Sequence, residues 1–151
     1  MVGPLDEAVG YALKRAASAL RAAMDAALRP LDLTVPQYSC LEVLSQQPGL
    51  SNAELARAVF VTRQSMNLVL RGLQVRGLIA RPTTAPHGRA LPSQLTPAGR
   101  KQLRAASAAV RAVEQRMLTS FSAAQQDRLL RDLVACADAL TPLDSDHKFG
   151  S

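Results

Sequence analysis

The chain has 151 residues, 48% of them hydrophobic and 20% charged, which excludes a disordered or fibrous chain and fits one globular domain, 1–151, with a real core. Aromatic residues are only 3%, so that core must be built from Leu, Val and Ala, and the alanine-rich, glycine-poor flanks favour helix over sheet. The net charge of +6 is concentrated: residues 51–105 hold nine of the eighteen Lys and Arg with one acid, Glu54, for a local +8, against −2 elsewhere, the footprint of a surface that binds a polyanion.

In chain order, Met1–Pro4 is short, Asp6 and Glu7 interrupt any apolar run, and no stretch approaches the roughly 18 apolar residues of a membrane span, so a cytoplasmic protein is expected. Leu5, Val9, Leu13, Ala16, Leu20, Met24, Ala27 and Leu31 recur every three or four residues and predict a long helix over 5–31, ended by Pro30. Its stripe is longer than one small domain can cover, so part of it should meet a second subunit. Thr34 and Gln37 form a capping box with Pro36 in the first turn, which starts a second helix carrying Tyr38, Leu41, Val43 and Leu44 inward.

Gln47-Pro48-Gly49 turns the chain into the segment that organises the rest. Ser51 and Glu54 form another capping box at the head of a short helix with Leu55, Ala56 and Val59 inward. The chain must turn at Phe60-Val61, because Thr62 is a fresh N-cap and a new helical period follows. On that next helix, Arg63, Gln64, Asn67, Arg71 and Gln74 share one arc of about 100°, while Met66, Val69, Leu70 and Leu73 share the opposite side. Guanidinium and amide groups on one arc can read guanine and adenine edges in a DNA major groove; the alternative is an ordinary solvated face.

Gly77 can end this helix in the left-handed conformation, and Leu78–Arg81 reads as a short strand stopped by Pro82. Residues 83–89, with Pro86 and Gly88, read as an exposed loop, and Ala90–Leu95 as a return strand kept to an edge by Pro92. Thr96 and Pro97 then start a long helix whose Leu103, Ala106, Val110, Val113 and Met117 form a heptad seam expected to bury against a second copy. Ser122 and Gln125 cap a last helix bearing Leu129, Leu130, Leu133, Val134, Ala137 and Leu140, closed by Thr141-Pro142, and residues 141–151 read as a mobile tail.

The predicted fold is therefore mainly α with a small β-hairpin wing: a winged helix-turn-helix over 34–95, flanked by dimerisation helices over 5–31 and 97–140. Three segments make the pattern specific. Gly49-Leu50-Ser51-Asn52-Ala53-Glu54-Leu55-Ala56-Arg57, then Arg76-Gly77-Leu78-Ile79, then Leu95-Thr96-Pro97-Ala98-Gly99-Arg100 resemble the MarR family of bacterial transcriptional regulators. The resemblance extends over about residues 5–140.

That resemblance implies a homodimer whose recognition helices meet two half-sites of a pseudo-palindromic operator in double-stranded DNA, consistent with two-fold symmetry. It implies that Arg63, Gln64, Ser65 and Asn67 face base edges, that Arg71 contacts base or phosphate, that Ser51 and Thr62 touch phosphate, and that Arg89 lies in the wing near the minor groove. Members often carry an acid and an arginine pair at the wing tip, where this chain has Pro86-His87-Gly88-Arg89, and an arginine where Leu68 stands. His87 either replaces the missing brace beside the DNA or faces water.

The family also implies a repressor released by a small phenolic or other aromatic anion between the dimerisation helices and the winged helix, where Tyr11, Arg15, Arg21 and Tyr38 could contribute. Alternatively the tyrosines simply pack, with their hydroxyls reaching water. Two other classes compete: a cysteine-based redox sensor, which would have to use Cys40, and an architectural protein that coats DNA without sequence choice. Cys40 and Cys136 have no Cys-x-x-Cys partner or matching histidines beyond His87 and His147, so no metal or other cofactor is expected and both thiols read as small apolar groups. An enzyme would need a nucleophile with its base, or a metal cluster, and the sequence offers neither.

Overall fold

The computed structural model describes residues 4–81 and 92–142. A 3-10 turn at Leu5–Glu7 leads into α1 (Val9–Leu28), and a second 3-10 turn at Arg29–Leu31 holds Pro30. There follow α2 (Val35–Gln46), α3 (Asn52–Val59), α4 (Arg63–Val75), β1 (Ile79–Ala80), β2 (Gln94–Leu95), α5 (Pro97–Met117) and α6 (Ala123–Leu140). This is the expected mainly α fold with a small antiparallel hairpin.

Reciprocal caps set the starts of α2, α3 and α6. Thr34 Oγ1 accepts the Gln37 N–H at 3.2 Å while Gln37 Oε1 accepts the Thr34 N–H at 3.0 Å, and the same reciprocal pair opens α3 and α6 at Ser51/Glu54 and Ser122/Gln125. At the end of α4, Gly77 has φ +72°; its N–H reaches Gln74 O and the Leu78 N–H reaches Leu73 O, closing the helix with the two bonds of a Schellman motif.

The hairpin is shorter than the predicted strands, pairing Ile79 with Leu95 and Ala80 with Gln94. Pro92 offers no N–H to extend the ladder toward the tip. Residues 82–91, with His87 and Arg89, lie outside the described residues, as do 143–151.

Thr96 joins the hairpin to α5. Its hydroxyl donates to Gly77 O at 2.6 Å and accepts the Gly99 N–H at 3.0 Å, while its N–H donates to Leu78 O. The approach is so close that a Cβ on Gly99 would stand 1.9 Å from Leu78 O. Glycine is required there by contact, not by backbone angle.

The chain divides into two compact units, Met1–Glu114 and Gln115–Ser151. In the first, Leu28, Leu41, Leu55, Met66, Leu70 and Leu73 are fully buried in one core, joined by Leu33, Cys40, Leu44, Leu78 and Ile79. Leu103 and Ala106 of α5 belong to the same core, Val110 packs against it, and Val113 is buried as well. This corrects the expectation for the seam. Most of it is covered by the chain's own residues, because α5 is tied to the rest of the unit by Ser107 Oγ donating to Glu42 Oε2 and by Gln102 Nε2 donating to Leu31 O. Only Met117, in the second unit, keeps a largely exposed side chain.

The stripe on α1 divides. Leu28 is buried and Leu20, Met24 and Ala27 are half-buried, but Val9 and Leu13 are exposed, as are Leu5 in the preceding 3-10 turn and Tyr11 beside the stripe. In the second unit, the Gln126 side chain donates to the carbonyls of Leu118 and Phe121 and fastens the turn before α6. No residue of α6 is buried; Leu130, Leu133, Val134 and Leu140 are exposed.

Candidate nucleic-acid interface

The helix-turn-helix begins at the Ser51 cap. Two bonds from Ser51, its backbone N–H first and its hydroxyl second, hold the Glu54 carboxyl below the usual carboxylate range. The capping box therefore keeps its charge at any neutral pH. Leu55, Ala56 and Val59 turn inward as expected, and the turn falls at Phe60, which adopts φ +62° and is 93% exposed. Val61 N–H returns to Ala56 O at 3.0 Å.

Thr62 then caps α4. Its Oγ1 accepts the Ser65 N–H at 3.0 Å and donates to Ser65 Oγ at 3.0 Å, so both hydroxyls expected near DNA are ordered by the start of the helix. Met66, Leu70 and Leu73 are buried and Val69 is half-buried, which anchors one side of α4. Arg63, Gln64, Asn67, Arg71 and Gln74 are all exposed on the other. The arc predicted from helical periodicity is therefore the solvent-facing arc of the folded unit.

One residue of this surface was not legible from periodicity. Asn52, the first residue of α3, donates from Nδ2 to Asn67 Oδ1 at 3.2 Å. The bond crosses between the two helices and fixes which edge of the Asn67 amide is free. Nothing local to either residue signals it; the docking of α3 on α4 creates it. Arg76, counted in the basic segment, has a different role, because its guanidinium donates to Asp32 O and to Leu31 O and ties the end of α4 to the bend after α1.

The four residues expected around a ligand fall in three settings. Tyr11 and Arg15 line an open hollow of about 360 Å³ with Asp6, Ala12, Ala16 and Ala19. Arg21 sits 3.7 Å from Asp25 one turn on. Tyr38 is half-buried on α2; burial raises its hydroxyl pKa, opposed by a hydrogen bond with Ser107.

Cys40 is fully buried, and desolvation pushes its thiol up to about 12. A thiol of that kind is protonated and shielded, which argues against a sensor at this position. Cys136 was expected to be a small packed group, but it is exposed on α6. Among the described residues no helix is long and apolar enough to cross a membrane.

Known proteins share this arrangement. A model of the MarR family matches residues 31–90, which hold α2 through α4 and β1. The HTH-type transcriptional repressor Rv2887 of Mycobacterium tuberculosis is 48% identical over 128 residues, covering 85% of this chain and 92% of that protein. Its crystal structure in complex with salicylic acid superposes with a TM-score of 0.71 at 48% identity, covering 85% of this chain and 95% of the other; its complex with DNA gives 0.72 at 46%, covering 85% and 96%. The transcriptional repressor CouR bound to a 23-mer DNA duplex gives 0.81 at 31% identity, covering 91% and 97%. With the capped helix pair, the Schellman-closed α4 and the short hairpin all in place, and with a relative this similar matched over nearly its whole length, the chain belongs to the MarR family of transcriptional regulators.

Proposed function

We propose that the protein is a transcriptional repressor that binds a pseudo-palindromic operator as a homodimer and leaves it when a small aromatic anion binds. The observation that carries the DNA reading is the exposed arc of α4, where Arg63, Gln64, Asn67 and Arg71 stand over a fully buried anchor of Met66, Leu70 and Leu73. In this reading Arg63, Gln64, Ser65 and Asn67 meet base edges and Arg71 meets base or phosphate. Ser51 and Thr62 contact phosphate from the helix starts, and Arg89 and His87 act from the wing. The DNA complexes of Rv2887 and CouR support the class of partner.

The dimer is supported by the apolar residues that the single chain leaves exposed on α1 and α6. Release by an aromatic anion is supported by the complexes of Rv2887 with salicylic acid and of CouR with p-coumaroyl-CoA. In this chain Tyr11 and Arg15 offer a ring face and a cation to such a ligand, and Tyr38 and Arg21 border the same function from α2 and the later turns of α1.

The test is binding at one fixed salt concentration to the duplex upstream of the protein's own gene and to a scrambled duplex of equal length, each with and without salicylate. Preference for the upstream duplex, weakened by salicylate, is expected. Equal affinity for both duplexes would instead establish an architectural DNA-coating protein.

A further inference from the structure

Leu68 is 65% exposed, although every other leucine of α4 is fully buried. At about 100° per residue it lies roughly 40° beyond Gln64 and 60° beyond Arg71, at the edge of the polar arc and on the far side from the buried stripe. Gln64 precedes it by one turn and Arg71 follows it by one, so an isobutyl group is framed by an amide and a guanidinium. The core cannot claim it, and Gln64, Asn67 and Arg71 around it are exposed.

We propose that Leu68 is a specificity-determining residue that packs against the C5-methyl group of a thymine in the DNA major groove, next to the base pair read by Gln64 or Arg71. The inference rests on the reading of α4 as the recognition helix and adds an element that polar contacts cannot supply. Thymine is the base that places a methyl group on the major-groove floor, and an apolar side chain is its complement. Arg63 and Arg71 supply the positive charge that brings this arc against the phosphates, so the leucine is carried into the groove with them. Val75 is exposed on the same side but at the end of α4, whereas the early and middle turns of a recognition helix enter the groove.

The experiment begins with selection of a tight-binding duplex from a randomised library by the wild-type protein. Each thymine of the selected duplex is then replaced in turn by deoxyuridine, which removes the methyl group and leaves every hydrogen-bonding atom in place. Wild-type affinity should fall about four-fold at one thymine in each half-site, and by about the square of that when both are replaced, the effect expected for one buried methyl group. Leu68→Ala should bind the thymine and uracil duplexes alike, with an unchanged circular dichroism spectrum because the side chain is exposed. Insensitivity of the wild type to every replacement overturns the contact, as does a Leu68→Ala protein that keeps the full sensitivity. Selection that returns no preferred sequence removes the sequence-specific reading itself, and the Leu68 contact with it. A folded Leu68→Ala protein that still prefers the selected duplex over random DNA, but ignores the methyl groups, isolates the leucine's contribution.

Discussion

Helices α4 and α6 are both amphipathic, yet the fold treats their apolar sides differently. Met66, Leu70 and Leu73 of α4 vanish completely into the core, whereas α6 has no fully buried residue and leaves Leu130, Leu133, Val134 and Leu140 in solvent. The reading unit of the molecule is therefore finished within one chain, and α6 is unfinished without another surface. The 3-10 turn before α1 and the first turns of α1 share that property through Leu5, Val9 and Leu13. A two-fold dimer is the economical answer, since one patch can then cover its own copy.

The strongest test of this contrast charges the unfinished surface. The double substitution Leu130→Glu with Val134→Glu touches residues exposed in the single chain, so each fold unit should survive while the dimer dissociates. Losing the linked second half-site should cost about 10²–10⁴-fold in operator affinity, measured by titration beside sedimentation at micromolar concentration. Val110→Glu would not serve as well, because Val110 packs on the chain's own core and a charge there attacks folding and assembly together. A double variant that stays dimeric with unaltered affinity would show that α6 is not the pairing surface.

The complementary test strikes the finished unit. In Gly99→Ala the new methyl group would overlap Leu78 O, a backbone atom fixed by the Thr96 N–H and by the closure of α4. Since neither partner is a flexible side-chain tip, α5 and the hairpin must separate, and a loss of about 1–3 kcal/mol is expected in denaturant unfolding, the range of overpacked core positions. A stability within 0.5 kcal/mol of wild type, about the range of neutral surface changes, would mean that the close approach is not kept in solution.

On α4 itself the two sides should separate by readout. Asn67→Ala should lose about 1–3 kcal/mol on the operator and little on random DNA, with stability unchanged. Asn52→Ala should produce a smaller loss in the same direction, about 0.5–1.5 kcal/mol, because it frees the Asn67 amide to rotate. That smaller loss should disappear in an Asn67→Ala background, as a double-mutant cycle would reveal; an undiminished effect would assign Asn52 a contact of its own.

How much of this was legible in the sequence follows from the range of the interactions. Capping boxes at Thr34, Ser51 and Ser122, the Thr62 cap and the Gly77 stop act over a few residues, so the starts of α2, α3, α4 and α6 and the α4 stop could be read directly, whereas the helix expected over 5–31 is α1 between two 3-10 turns and starts without a side-chain cap. The arc of α4 was legible because periodicity alone divides a helix into sides. Tertiary partners were not. The heptad spacing from Leu103 to Val113 says only that one side of α5 is buried, not whether its cover is the same chain or a copy, and here the chain's own core takes it. For the same reason the Asn52–Asn67 bond, the Arg76 clamp on Leu31 and Asp32, and the scatter of Tyr11, Arg21 and Tyr38 required the folded arrangement.

The smallest expected effect lies at the turn that joins α3 to α4, which carries a local strain. Phe60 holds φ +62°, a conformation that costs an L-residue about 1–2 kcal/mol, and the residue, 93% exposed, recovers little by packing. Glycine removes the clash but gives back about 0.5–1 kcal/mol through the freedom of the unfolded chain. Phe60→Gly should therefore raise stability by about 0.5–1 kcal/mol, visible as a higher midpoint in urea with an unchanged slope. Phe60→Ala provides the control, since it removes the ring and keeps the strained backbone, and should be nearly neutral. If both substitutions instead destabilise the protein to a similar extent, the ring is engaged in solution by a surface absent from the isolated chain. The turn beside the recognition helix would then belong with α6 among the parts that one chain leaves unfinished.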